Sequence, residues 1–242
     1  MEPASERTQQ PRSVDRHPSP PLGVLAAVFT LLHLASIACV SLLAERPPFP
    51  ALRLPAGEVA SYLRLHPSAV LACAFLLFGA AVPLGLFTAS TVSRLRFLGV
   101  EAAGATIALF GGLAAAFGIA ASASALWVAA HAGIAPDATL LQGLYYLAFV
   151  FGGPGYSVPL GLLMAGVSIP ALVMKLMPRW IGVLGLVLAV IGELSWFGLI
   201  LPGAMFLIPL TRFPGFVWLI AAGLALPATR PAAARAGETA AP

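Results

Sequence analysis

The sequence predicts an all-α fold, a polytopic membrane bundle of six transmembrane helices with both termini cytoplasmic and the fourth helix broken at Gly152–Gly155. Three observations carry that reading. Of the 242 residues, 60% are hydrophobic and only 9% are charged, against roughly a quarter charged in a water-soluble domain. Apolar runs of about the ~20 residues a bilayer requires recur along the chain. Proline, glycine and basic residues gather in the short segments between those runs, where turns and membrane-orienting charges belong.

The net charge of +4 does not point to nucleic acid. The Lys and Arg residues are scattered through tails and loops, with no basic stripe to follow a phosphate backbone, so the lipid bilayer is the expected surrounding. Cys39 and Cys73 fall inside apolar spans with no CxxC spacing and no neighbouring ligand residue. No metal and no cofactor is expected.

Residues 1–21 are polar, rich in Pro and Ser and without apolar periodicity, the pattern of a disordered tail. The first span, about residues 22–44, is longer than the ~7–15 residue apolar core of a secretory signal and reads as a retained helix. Pro47, Pro48 and Pro50 end it, because proline lacks the amide donor and clashes with the preceding turn. In the loop that follows, Val59, Tyr62 and Leu63 fall at helical spacing, which fits a short amphipathic helix on the membrane surface; an irregular loop is the alternative.

The second span, about residues 68–90, leads into a basic connector holding Arg94 and Arg96. The third apolar region, Leu98 to Ala130, is longer than one bilayer crossing, so a span over about 98–125 is expected with one end protruding or tilted. Small residues four apart, Gly111 to Ala115 and Gly118 to Ser122, let helix backbones approach closely, as in a central packing helix.

The fourth region, Ala138 to Met174, is interrupted by Gly152, Gly153, Pro154 and Gly155. Such a break frees backbone groups that lipid cannot hydrogen-bond, so protein or a water-filled cavity must cover them. Either an outer interfacial helix, Ala138 to Phe151, turns into a spanning helix over about 156–174, or one tilted helix is interrupted at membrane depth. The first geometry is preferred, because the residues after the break suffice to span alone.

The fifth and sixth spans, about 180–201 and 204–226, fold back on each other at Pro202 and Gly203, with Glu193 in one and Arg212 in the other. Each charge lies about 9–10 residues from the turn, which at helical rise matches their depths. A lone ionised side chain in hydrocarbon costs roughly 2.5–3.5 kcal/mol, so an ion pair is expected. The competing reading puts Glu193, Arg212 and His33 around a polar cavity, helped by Pro209 and Pro214, which bracket Arg212 and loosen its helix. Residues 227–242 read as a second disordered tail.

Orientation follows from counting basic residues. Nine fall in the tails and the connectors after the second and fourth spans, against Arg46, Arg53 and Arg64 on the other side, so both termini are expected in the cytoplasm.

The run Pro178-Arg179-Trp180-Ile181-Gly182-x-x-Gly185, followed by Leu201-Pro202, Phe206-Leu207, Pro209-Leu210, Arg212-Phe213 and Val217-Trp218, resembles the bacterial six-span membrane family known as domain of unknown function 4386. The resemblance is clearest over residues 176–226. It implies six helices and no assigned activity; the glycine-proline break has no counterpart in that family pattern. A multi-pass protein of the plasma (inner) membrane is expected.

The chain lacks a Gly-x-Ser-Gly nucleophile facing a histidine, and His33 is the only histidine within a span, so no catalytic residues are assigned. The leading expectation is a non-catalytic integral membrane protein acting through helix packing, with itself or with another membrane subunit. The alternative is a small-molecule or ion permease with a polar cavity around Glu193 and Arg212. An intramembrane enzyme ranks third.

Overall fold

A computed structural model describes residues 16–43, 54–131 and 137–229. Eight α-helices carry the described chain: α1 (Leu22–Leu43), α2 (Ala56–Leu65), α3 (Pro67–Phe97), α4 (Ala103–Ala130), α5 (Ala138–Gly152), α6 (Pro154–Val173), α7 (Arg179–Leu194) and α8 (Leu207–Ala225). With α5 and α6 taken together, six stretches are long and apolar enough to cross a bilayer. The protein is a multi-pass helical membrane bundle. The prolines and positions 44–53 that close the first loop lie outside the described residues, as do 1–15, 132–136 and 230–242.

Helix α3 runs seven residues past its expected end, through Arg94 and Arg96 to Phe97, because no proline or glycine interrupts it before Gly99. There the chain turns left-handed, with φ +90° at Gly99. The amides of Gly99 and Val100 donate back to the carbonyls of Arg96 and Leu95, both at 3.0 Å, which closes the helix with the end motif glycine favours. Accordingly α4 starts at Ala103, not Leu98.

Helix α4 is the packing spine expected of it, touching α3, α5 and α6. A methyl group at Gly104 would lie 3.0 Å from the Gly166 carbonyl oxygen, at Gly111 2.5 Å from that of Pro159, and at Gly118 2.6 Å from that of Gly155. Ser122 Oγ then donates to the Ala148 carbonyl at 2.7 Å. This antiparallel register crosses the α5–α6 break without a jump. The preferred expectation of an interfacial helix turning into a span is therefore corrected: α5 and α6 are two segments of one interrupted span. Ser122 and Gly118, which face the break, lie about 12–18 Å along α4 from Ala130.

Helix α7 also ends earlier than expected. It stops at Leu194 and gives way to tight 3-10 turns over Ser195–Leu199 and Pro202–Phe206. Pro202 excludes its predecessor from helical geometry, and Leu201 is extended at φ −107° and ψ 103°.

The short loop helix is present as α2. It buries Val59, Ala60 and Leu63 in a core shared with Val40, Cys73, Leu126, Leu141 and Tyr145, so it packs on the bundle as well as facing outward. The larger core lies toward the other end, around Phe29, Leu84, Tyr156, Leu160 and Trp218. Part of each expected tail is ordered. Arg16 pairs with Thr229 in an isolated β-bridge, and His17 N donates to the Ala228 carbonyl at 2.8 Å.

Candidate functional site

A cavity of about 390 Å³ opens between α1, α3, α4, α5 and α8. Its polar lining comes from His33, Ser36, Cys73, Ser122, Tyr145 and Arg212, among aliphatic and phenylalanine side chains. Helical spacing puts His33 and Ser36 on one face of α1, and Ser36 Oγ donates to the His33 carbonyl at 2.7 Å.

The break supplies the floor. Gly152 and Gly153 both line the cavity, and Gly153 adopts φ −92° and ψ −104°. The amides of Tyr156 and Ser157 both donate to the Gly153 carbonyl, at 3.1 and 2.9 Å, and Pro154 has no N–H to give. The Gly152 carbonyl takes its hydrogen bond from Arg212 Nη2 instead. Arg212 thus covers backbone that lipid could not satisfy.

Around Arg212 several buried polar atoms have no partner. Its guanidinium carbon lies 5.5 Å from the Tyr156 ring centroid, and the His33 ring is 5.8 Å from Tyr156 and 5.1 Å from Phe216. Arg212 Nε, the Tyr156 hydroxyl and His33 Nδ1 are all buried with no hydrogen-bond partner. Among the described residues no carboxylate oxygen comes within 4.0 Å of the guanidinium. Unpaired buried polar atoms of this kind cost free energy, and of the three residues Arg212 and His33 line the cavity.

Glu193 is not part of this cluster, which corrects the expected ion pair. Equal depth holds: a methyl at Gly192 would touch Thr211 Cγ2 at 3.2 Å, so positions 192 and 211 meet across α7 and α8. Facing does not follow, because α6 stands between the two charges. Glu193 Oε1 lies 3.3 Å from where a methyl at Gly161 would be, and it is buried without a partner. Arg212 reaches the Tyr156 flank, five residues earlier and about 140° around the same helix. Of the residues singled out from the sequence, the cavity therefore joins His33, Arg212, Gly152 and Gly153 and leaves Glu193 outside.

No family model, curated protein or solved structure matches this chain. Its function rests on its own geometry.

Tyr156 is the residue the sequence reading passed over. Its signal was a hydroxyl-bearing ring inside an apolar span directly after Gly155. Among the described residues no three of His, Cys, Asp and Glu converge as metal ligands would.

Proposed function

We propose that the protein is a permease for a small organic anion with an aliphatic portion, bound in the cavity at Arg212. The observation that carries this is Arg212 itself, a cation in the bundle interior that has, among the described residues, one neutral hydrogen-bond acceptor and no carboxylate. Charged side chains inside membranes face the bundle interior, pair with one another or with backbone carbonyls, and by default mark solute or ion pathways. The cavity volume falls in the 300–1,000 Å³ range of ligand sites, and its largely apolar wall suits an alkyl chain. An interrupted helix beside the site is the arrangement many transporters use to expose backbone to a solute. The same proposal places both chain ends in the cytoplasm and the protein in the plasma membrane. Membership of the six-span family named above belongs to it too, on the motifs of residues 176–226 alone.

The test uses octanesulfonate, which stays ionised and does not cross a bilayer unaided, with octanol as the uncharged control. Octanesulfonate should raise the unfolding temperature of the purified protein, which octanol should not, and should enter proteoliposomes that contain the protein but not protein-free liposomes. Arg212→Gln should lose both effects. Equal responses to the two compounds, or an unaffected Arg212→Gln, would remove the anion site; binding without uptake would leave a receptor and not a permease.

A further inference from the structure

A second buried arginine sits at the opposite end of the bundle, where both described chain ends meet. Helix α3 has 31 residues, about 46 Å at helical rise, against a hydrocarbon core of about 30 Å. Its last turn, with Arg94, therefore stands at headgroup level. Trp180 is exposed at the start of α7 on this same end, beside Ile181, whose carbonyl accepts from Trp218 Nε1 at 3.0 Å. Exposed tryptophan is the usual anchor of that layer.

Arg94 is only 6% exposed. Nη1 donates to the Leu226 carbonyl at 3.2 Å, and Nη2 to Ser19 Oγ at 2.6 Å and the Pro20 carbonyl at 3.4 Å. Nε is buried with no partner. Every acceptor is neutral, and among the described residues no carboxylate lies within 4.0 Å. The guanidinium lines a cavity of about 560 Å³ between the segment before α1 and the end of α8, together with Arg16 and His17. His17 Nε2 meets Ser93 Oγ at 3.1 Å, while its Nδ1 is buried and unpartnered. Two arginines and a histidine thus border one space with no acid among the described lining residues. A buried cation of this kind needs a counter-charge, and arginine favours the oxygens of phosphate.

We propose that this cavity binds a phosphate group, that of an anionic phospholipid in the leaflet around the chain ends. Headgroup depth favours the lipid over free phosphate as its source. The bound phosphate would join the segment before α1 to the ends of α3 and α8, which Arg94 already links. This site is separate from the Arg212 cavity and does not depend on its function.

The experiment uses the full chain purified in a non-ionic detergent, titrated with phosphatidylglycerol, phosphatidylcholine or inorganic phosphate, with unfolding temperature and lipid retention by native mass spectrometry as readouts. Phosphatidylglycerol should bind about tenfold more tightly than phosphatidylcholine, the size of effect one charge-assisted contact supplies. Arg94→Gln should abolish that preference. Arg16→Gln alters an exposed side chain, so it tests the site even where Arg94→Gln fails to fold; it should weaken phosphatidylglycerol several-fold. Arg212→Gln should leave the preference intact. Equal binding of the two lipids by the wild type, or an Arg16→Gln protein that binds like the wild type, would overturn the site. Stabilisation by inorganic phosphate without a lipid preference would overturn the lipid as its source.

Discussion

Arg212 lies over the face of Tyr156, guanidinium carbon to ring centroid 5.5 Å, and the arginine Nε and the tyrosine hydroxyl are both buried without partners. The charge is held by a ring face and one backbone carbonyl, both neutral. A desolvated cation–π contact contributes on the order of 2 kcal/mol, enough to orient the guanidinium without neutralising it. The site therefore keeps a positive charge available to a ligand.

The ring and the hydroxyl of Tyr156 should separate. Tyr156→Phe keeps the ring and removes an unanswered hydroxyl that does not line the cavity, so unfolding temperature should hold or rise and octanesulfonate affinity should hold. Tyr156→Leu removes the ring face as well and should lower stability. Thermal unfolding and ligand titration on the same preparations check both.

The absence of an ion pair predicts additivity. Glu193 packs beside Gly161 and Arg212 beside Tyr156, on different flanks of α6. Glu193→Gln and Arg212→Gln should therefore sum to within about 0.3–0.5 kcal/mol in the double variant, as independent sites do. A larger coupling energy in denaturant unfolding would mean that the charges interact after all.

Six spans, the break at Gly152–Gly155 and the common depth of positions 192 and 211 follow from hydropathy, glycine and proline placement and residue counting, because helical rise is fixed. Azimuth is not fixed by counting. Whether Glu193 faces Arg212 depends on which residue takes the α7–α8 seam, and Gly192 and Thr211 take it. Tyr156 stayed hidden because a neutral residue in an apolar run leaves no charge signal, and the continuity of α5 with α6 needed the register against α4.

That register predicts opposite outcomes for two glycines. A methyl at Gly111 would come 2.5 Å from the Pro159 carbonyl oxygen, whereas one at Gly143 meets nothing within 4 Å. Gly111→Ala should destabilise by about 1–3 kcal/mol through overpacking against backbone. Gly143→Ala should stabilise by about 0.5–1 kcal/mol through helix propensity. Unfolding midpoints in detergent distinguish them, and equal shifts would refute the close α4–α6 contact.

Topology is open to a direct check. Nine basic residues on one side against three on the other predict that reporter fusions before residue 22 and after Leu226 both give cytoplasmic signals. A periplasmic signal from either fusion would contradict the orientation.

The break itself provides the sharpest expectation, because it sets stability against binding. Gly153 holds φ −92° and ψ −104°, and a methyl there would lie 2.6 Å from the Phe149 carbonyl oxygen, so alanine does not fit the broken geometry. Pro154 withholds the amide that the Val150 carbonyl would otherwise receive. Replacing both, Gly153→Ala with Pro154→Ala, removes intrinsic helix penalties of about 1 and 3 kcal/mol and lets residues 150–157 resume regular bonding. The Tyr156 amide would then return to the Gly152 carbonyl and displace Arg212 Nη2 from it. Part of the propensity gain is spent on repacking Gly155 against Gly118, so the double variant should be at least as stable as the wild type. Its octanesulfonate affinity should nevertheless be lost, because the guanidinium no longer has the carbonyl that fixes it at the cavity floor. A variant that unfolds at the wild-type temperature or above and still binds octanesulfonate normally would show that the broken backbone is not what positions Arg212.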